Sequence, residues 1–269
     1  MSLVIDTTGH GPALVLIHGW ALHGGVFAPL VKHLREDFTV HCVSLPGHGR
    51  SRDDTVPFTL DACMRDIAAQ IPQALWVGWS LGGLIALKAA AHGAGIRALA
   101  MLAATPRFTA APDWPEGVAP AVLERFSTEL AQDYRGTLER FVALGTLGSP
   151  TARQDLRLLR AALYDRGEPT AMALAAGLDL LAHSDLRHLL PQLAVPSLWM
   201  AGARDRLVHP HAMAAAAALA PRACIDVIAG AGHAPFLAHA EYIATALRAL
   251  HRSVTQSPIG CEGSAPTAA

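Results

Sequence analysis

The sequence predicts an α/β protein: a mostly parallel central sheet flanked by helices, with a block of helices inserted ahead of the last strands. Three observations predict it. Short, continuously apolar runs alternate with longer helical patterns, the mark of strands joined by crossover helices. One strand-to-helix junction carries Gly78-Trp79-Ser80-Leu81-Gly82. Between residues 108 and 183 strand signals stop and only helical spacing remains.

The strands follow from composition. Ala13-Leu14-Val15-Leu16-Ile17 is apolar without alternation, as a strand buried on both faces should be. Residues 38–43 form a second strand, closed by the turn-rich Leu45-Pro46-Gly47-His48-Gly49. Residues 75–78 and 98–104 are the third and fourth, with a helix over 81–91 between them. Strand signals resume at 195–201 and 223–228, and a last helix covers about 240–250. Two units result: a core of residues 1–107 and 184–252, and a helical cap of residues 108–183. Residues 253–269, rich in Ser, Pro, Gly and Ala, read as a disordered tail.

Bulk properties exclude several function classes. With 52% hydrophobic residues in 269, the chain can bury a large core. A formal net charge of -1 argues against a general nucleic-acid binder. The N-terminal residues lack the basic start and apolar core of a signal peptide, and no apolar run reaches the roughly 20 residues needed to span a bilayer. A cytoplasmic protein, away from membranes, is expected. Cys42, Cys63, Cys224 and Cys261 show neither zinc-ligand spacing nor a disulfide framework, and the first three read as buried free thiols.

The chemistry begins at Ser80. A serine on a sharp strand-to-helix turn needs small residues two positions to either side, which Gly78 and Gly82 supply. The turn also sets the hydroxyl at a helix N-terminus, where free N–H groups favour developing negative charge. A serine hydroxyl needs a base. His233, in Gly230-Ala231-Gly232-His233-Ala234-Pro235-Phe236 after the last strand, stands where the order serine, acid, histidine delivers one. Asp205, at the C-terminal end of the preceding strand, is the acid expected to fix the imidazole tautomer. Asp226, inside a strand, and Asp179 and Asp185, in the cap or its exit, fit worse. The backbone N–H groups of Leu81 and Trp20 are the candidate oxyanion donors. His18 reads as a loop brace and not as a second base.

In the cap, Arg153, Arg157 and Arg160 fall at i, i+4 and i+7 and share one helical face. Arg135 and Arg140 lie on a neighbouring helix. Residues 121–170 hold seven arginines and seven acids, so any basic patch comes from geometry and not from excess. From spacing alone, a solvated face with internal ion pairs is the plainer reading; a docking surface for an anionic partner is the other.

Together, His18-Gly19-Trp20-Ala21-Leu22, Leu45-Pro46-Gly47-His48-Gly49-Arg50-Ser51 and Gly78-Trp79-Ser80-Leu81-Gly82-Gly83 resemble the BioH family of pimeloyl-[acyl-carrier protein] methyl ester esterases, carboxylesterases of the α/β-hydrolase fold. The likeness continues through Glu139-Arg140-Phe141-Val142-Ala143-Leu144 and Thr151-Ala152-Arg153-Gln154-Asp155, and ends at Gly232-His233-Ala234-Pro235-Phe236. It covers nearly the whole chain apart from the tail. The resemblance implies hydrolysis of the methyl ester of a pimeloyl chain on its carrier protein, in biotin biosynthesis, without metal or organic cofactor. It implies acyl contacts at Trp20, Leu22, Ser80, Leu81, Phe141, Val142, Ala143, Leu144, Gly145 and His233. It implies carrier docking at Arg140, Arg153 and Arg157. A fourth family arginine falls on Gly136, with Arg135 beside it as the candidate replacement. The short N-terminus puts the first strands of the usual sheet in question. A monomer acting on small esters as well as the carrier-linked one is expected. The competing readings are a promiscuous short-chain carboxylesterase, an acyltransferase, and a triad-bearing receptor with negligible turnover.

Overall fold

The computed structural model describes residues 2–93 and 95–255. A seven-stranded sheet forms its centre, in the order β1-β3-β2-β4-β5-β6-β7. The strands are β1 (Ile5–Thr8), β2 (Ala13–Ile17), β3 (Thr39–Val43), β4 (Ala74–Trp79), β5 (Ile96–Leu102), β6 (Ser197–Gly202) and β7 (Ala223–Ile228). All neighbours run parallel except β1, which pairs antiparallel with β3. The expectation of a mostly parallel sheet is met, and the expected strands are present with ends moved by one or two residues. β1 is the strand the sequence did not announce. Its four residues, Ile-Asp-Thr-Thr, are short, half-polar and at the sheet edge, so they carry little apolar signal.

Burial explains the inner strands. Every residue of β4 is buried, as are Leu14 to Ile17 of β2, because helices cover both faces of the sheet. α1 (Ala28–Leu34), α2 (Leu60–Gln70) and α3 (Leu81–Ala91) connect the first strands. α3 is apolar nearly all round and buries nine of its eleven residues, as a helix enclosed by protein must. Four helices lie between β5 and β6: α4 (Pro120–Gln132), α5 (Tyr134–Thr146), α6 (Ala152–Tyr164) and α7 (Ala171–His183). α8 (Pro210–Leu219) links β6 to β7, and the short α9 (Pro235–Ala238) leads into α10 (Ala240–Thr255).

α10 corrects the predicted tail, since Ser253, Val254 and Thr255 are helical. Its apolar stripe, Ile243, Ala244, Leu247 and Leu250, extends to Val254, which packs on the core, and that contact carries the helix past the expected end. The rest of the predicted tail lies outside the described residues. The free-thiol reading holds for Cys42 and Cys63, where burial pushes the thiols up to about 12 and leaves them unreactive near neutrality. Cys224, half-buried on β7, is engaged and not free, which corrects that part of the reading. Among the described residues no helix is long and apolar enough to cross a membrane.

The topology prepares a site. After β2 the chain adds β3 on one side, then returns to place β4 on the other, so loops leaving β2 and β4 diverge from one crevice. Ile17 pairs with Gly78 at the strand ends, so the segments starting at His18 and Trp79 emerge side by side. Gly82 makes this approach possible: a Cβ there would sit 2.3 Å from the Ile17 carbonyl oxygen and 2.7 Å from that of His18. Both are backbone atoms and cannot swing away. Gly82→Ala is therefore expected to destabilise the protein by about 2–3 kcal/mol, as overpacking of a close-packed interior does. The check is a lower denaturant midpoint at unchanged slope.

Candidate active site

Three strands of the central sheet, β4, β6 and β7, each hand one group to the crevice. Ser80 follows β4 directly, with φ 52° and ψ -122°, a conformation that costs a non-glycine residue strain and that the buried elements on either side hold in place. Asp205 follows β6, and His233 follows β7. The last two loops are stitched together where the Arg204 N–H donates to the Ala231 carbonyl at 2.9 Å.

The three side chains meet. His233 Nε2 is 3.0 Å from Ser80 Oγ, and His233 Nδ1 is 2.8 Å from Asp205 Oδ2. The other carboxylate oxygen of Asp205 accepts from the backbone N–H groups of Leu207 (2.8 Å) and Val208 (3.0 Å), so the acid cannot rotate freely. All three side chains are buried, with at most 4% exposure. Trp79 braces the histidine loop by donating from Nε1 to the His233 carbonyl at 2.7 Å, a physical reason for a tryptophan before the serine. Chemically the chain Ser80–His233–Asp205 can pass the serine proton to the imidazole and hold the imidazolium against a carboxylate.

His18 has the bracing role expected of it. Its Nε2 accepts the Leu45 N–H at 2.9 Å, so Nδ1 carries the proton it donates to the Gly19 carbonyl at 2.7 Å. Burial holds it well below the ordinary histidine range, so it stays neutral. Leu81 opens α3, a position whose N–H has no partner inside the helix. Trp20 is fully buried, donates from Nε1 to the Leu174 carbonyl on α7 at 2.8 Å, and packs edge-on to Phe141 at 4.7 Å between ring centroids.

Two cavities concern the substrate. The inner one touches Ser80 and His233 and is walled by Phe126, Phe141, Leu178 and Leu181, among others, with only about 30 Å³ open, little more than a water's space. The outer one is an open apolar groove of about 590 Å³ between α4 and α5, lined by Val122, Phe126, Leu144 and Leu147, with Arg125, Glu129 and Arg140 at its polar margin. Val122 and Phe126 line both, so one wall separates the groove from Ser80. The inner cavity is the one at the chemistry although it is far smaller. Of the residues expected to contact an acyl chain, Phe141 lines the inner cavity, and Ala143 and Leu144 line the outer one. Gly145 faces the His233 ring. Leu22 and Val142 are buried and line neither. Val122 and Phe126, four apart on α4, were missed; their shared helical face was the available signal.

The cap arginines divide. Arg140 meets Glu129 at 3.1 Å and Asp133 at 3.2 Å, Arg160 meets Glu139 at 3.2 Å, and Arg135 meets Glu168 at 2.5 Å. Arg153 and Arg157 are exposed on α6 and have no ion pair among the described residues. The Asp133 carboxylate caps α5 by accepting the Gly136 N–H at 3.0 Å, and a Cβ at Gly136 would meet that carboxylate at 1.9 Å. The Asp133 cap thus lies against Gly136, and Arg135 beside it turns to Glu168. For a metal ion, Glu116, His209 and His211 have donor atoms close enough together, but all three are exposed. The two histidines sit at the start of α8, where the helix dipole opposes a cation.

Fold and site together define an α/β-hydrolase with a serine-centred hydrogen-bonded triad. Residues 12–240 match the alpha/beta hydrolase fold family. The chain is 59% identical over 250 residues to a "Pimeloyl-[acyl-carrier protein] methyl ester esterase" of Xanthomonas oryzae pv. oryzae, covering 93% of this chain and 99% of that one. It is 61% identical over 244 residues to a protein of that name from Stenotrophomonas maltophilia, covering 91% and 94%. Among solved structures, an esterase from Exiguobacterium antarcticum superposes with a TM-score of 0.81 at 21% identity, covering 93% of this chain and 96% of that one. That likeness concerns the fold alone. The chain belongs to the α/β-hydrolase family and, within it, to the group of the pimeloyl-[acyl-carrier protein] methyl ester esterases.

Proposed function

We propose that this chain is a serine carboxylesterase that hydrolyses the methyl ester of pimeloyl-[acyl-carrier protein], freeing the pimeloyl carboxylate for biotin biosynthesis. The observation that carries the chemistry is the Ser80 Oγ–His233 Nε2 contact of 3.0 Å, backed by Asp205. Relatives that share its length and about three-fifths of its residues, and bear that name, support the substrate. Ser80 Oγ attacks the ester carbonyl carbon while its proton passes to His233 Nε2. The Leu81 and Trp20 N–H groups hold the resulting oxyanion, each contributing about 2.7–4 kcal/mol to the transition state. The tetrahedral intermediate collapses, the carbon–oxygen bond to the methoxy group breaks, and His233 returns the proton to it as methanol. Water then loses a proton to His233 and attacks the acyl-enzyme, and Ser80 leaves with that proton. No metal or organic cofactor enters these steps.

The enzyme works as a monomer in the cytoplasm, with residues 108–183 as a cap that admits the acyl arm. Arg153 and Arg157, the unpaired cap cations, dock the acidic carrier, with Arg140 as a third contact. Reversing both charges (Arg153→Glu with Arg157→Glu) is expected to raise KM for the carrier-linked ester about tenfold relative to a free short ester, the scale of two exposed charge pairs turned repulsive. An unchanged ratio removes the docking assignment. The pathway reading is tested by rescue of a biotin-requiring strain that lacks this esterase, with Ser80→Ala as control. Soluble protein that fails to rescue leaves a short-chain carboxylesterase, a reading to which the small inner cavity lends some support.

A further inference from the structure

The outer groove is apolar along its floor and charged at its rim, and its charges are already spent on one another. Glu129, on α4, stands between two arginines: Oε1 is 2.6 Å from Arg125 Nε, and Oε2 is 3.1 Å from Arg140 Nη2. Arg140 has further partners in Asp133 and Thr137, whereas Arg125 has Glu129 alone among the described residues. The arginines are 77% and 46% exposed while Glu129 is 22% exposed, so the carboxylate sits deeper and the cations face outward. One carboxylate therefore occupies two guanidinium groups at the mouth of a groove whose inner wall, Val122 and Phe126, is also the wall of the Ser80 pocket.

We infer that Glu129 is an internal competitor for the anion of the substrate. It holds Arg125 and Arg140 until the phosphodiester of the phosphopantetheine arm displaces it, and so sets how strongly the enzyme prefers carrier-linked esters over neutral ones. This rests on the carrier-linked reading of the function. The chemistry is matched: a phosphodiester, like a carboxylate, accepts paired N–H bonds from a guanidinium, and its apolar acyl end suits the groove and the pocket behind it. Exposed ion pairs are individually weak, so an incoming anion can break them, yet their loss still subtracts from binding. Glu129 is thus a specificity-determining residue that never touches the reacting atoms.

The experiment compares wild type and Glu129→Gln on two esters of the same acyl chain: the methyl ester on phosphopantetheine whose phosphate is capped as its methyl diester, and the dimethyl ester of the diacid. The readout is the ratio of their KM values, with kcat recorded separately. The glutamine variant is expected to shift the ratio about three- to tenfold toward the phosphopantetheine ester, the scale of two released surface pairs, through KM and not kcat. Its KM for that ester should also rise more steeply with salt. In Arg125→Ala with Glu129→Gln, most of the shift should vanish. An unchanged ratio, or equal changes on both esters, overturns the inference. A shift that appears only with the ester on the intact carrier protein also overturns it, by assigning the competition to carrier carboxylates. If wild type shows no preference for the ester on the intact carrier protein over the neutral one, the functional reading fails first; if wild type prefers the carrier-linked ester and the variant's ratio does not move, Glu129 alone is wrong.

Discussion

Ser80→Ala is expected to lower kcat by about a millionfold, leaving the residual rate that binding and the oxyanion donors supply on their own. The reason is geometric. The hydroxyl is the one atom placed both 3.0 Å from a ring nitrogen of His233 and on the strained turn that opens α3. Alanine keeps the small volume and gives up no buried partner other than that hydrogen bond, so the fold should survive with an unchanged denaturation midpoint. Binding should survive too, because the cavity walls are supplied by other residues, Phe126, Phe141, Leu178 and Leu181 among them. Two measurements check this: methanol release under single-turnover conditions, and the mass of the intact protein after mixing with substrate. Wild type should gain the mass of the acyl group transiently and the variant should not. A variant retaining more than about one part in a thousand of the rate would mean that water attacks directly and that no acyl-enzyme lies on the path.

The triad was legible because each of its members sits where a period ends. A continuous apolar run predicts a buried strand, and the first polar or glycine-flanked residue after it marks the strand's C-terminal end, which in a parallel sheet faces the site. Ser80 follows that rule directly; Asp205 comes after Arg204, and His233 closes the glycine-rich loop after β7, so these two rested also on the order serine, acid, histidine. β1 was not legible for the converse reason: Asp6, Thr7 and Thr8 supply no apolar run, and the strand exists because the free edge of β3 offers it a partner. The inner cavity was only partly legible. Phe141 was singled out; Phe126 had the helical face it shares with Val122 to mark it, whereas Leu178 and Leu181 reach the serine only through the packing of α7 over the sheet, which no local pattern encodes. The arginines illustrate the limit most clearly. Spacing put Arg153, Arg157 and Arg160 on one face, yet among the described residues only Arg160 of these is ion-paired, with Glu139 on α5, while Arg140 and Arg135 turn to Glu129 and Glu168, acids outside their own helix. Charge counts could report only that the block was neutral.

Asp205→Asn carries the second large expected effect, a loss of about ten-thousandfold in kcat with little change in KM, and its cause lies in which nitrogen of His233 holds the proton. In the native site, Asp205 Oδ2 faces Nδ1 while Oδ1 takes two backbone donors, Leu207 and Val208. Nδ1 must therefore donate, which leaves Nε2 unprotonated toward Ser80 and able to accept its proton. Asparagine is the same shape but cannot choose its orientation: the two backbone N–H groups demand its carbonyl oxygen, so the amide NH2 turns to the imidazole. Nδ1 then becomes an acceptor, the proton moves to Nε2, and the base is blocked at the atom that matters. Turning the amide over instead would leave two buried N–H groups facing an NH2, at a cost of about 1–3 kcal/mol for each donor without a partner. Nitrogen chemical shifts of the His233 ring should report the exchanged tautomer directly, alongside an unchanged melting curve. A loss below about a hundredfold, or a ring that keeps its proton on Nδ1, would show that Asp205 acts through charge alone and that the backbone clamp at Leu207 and Val208 has no part in orienting the base.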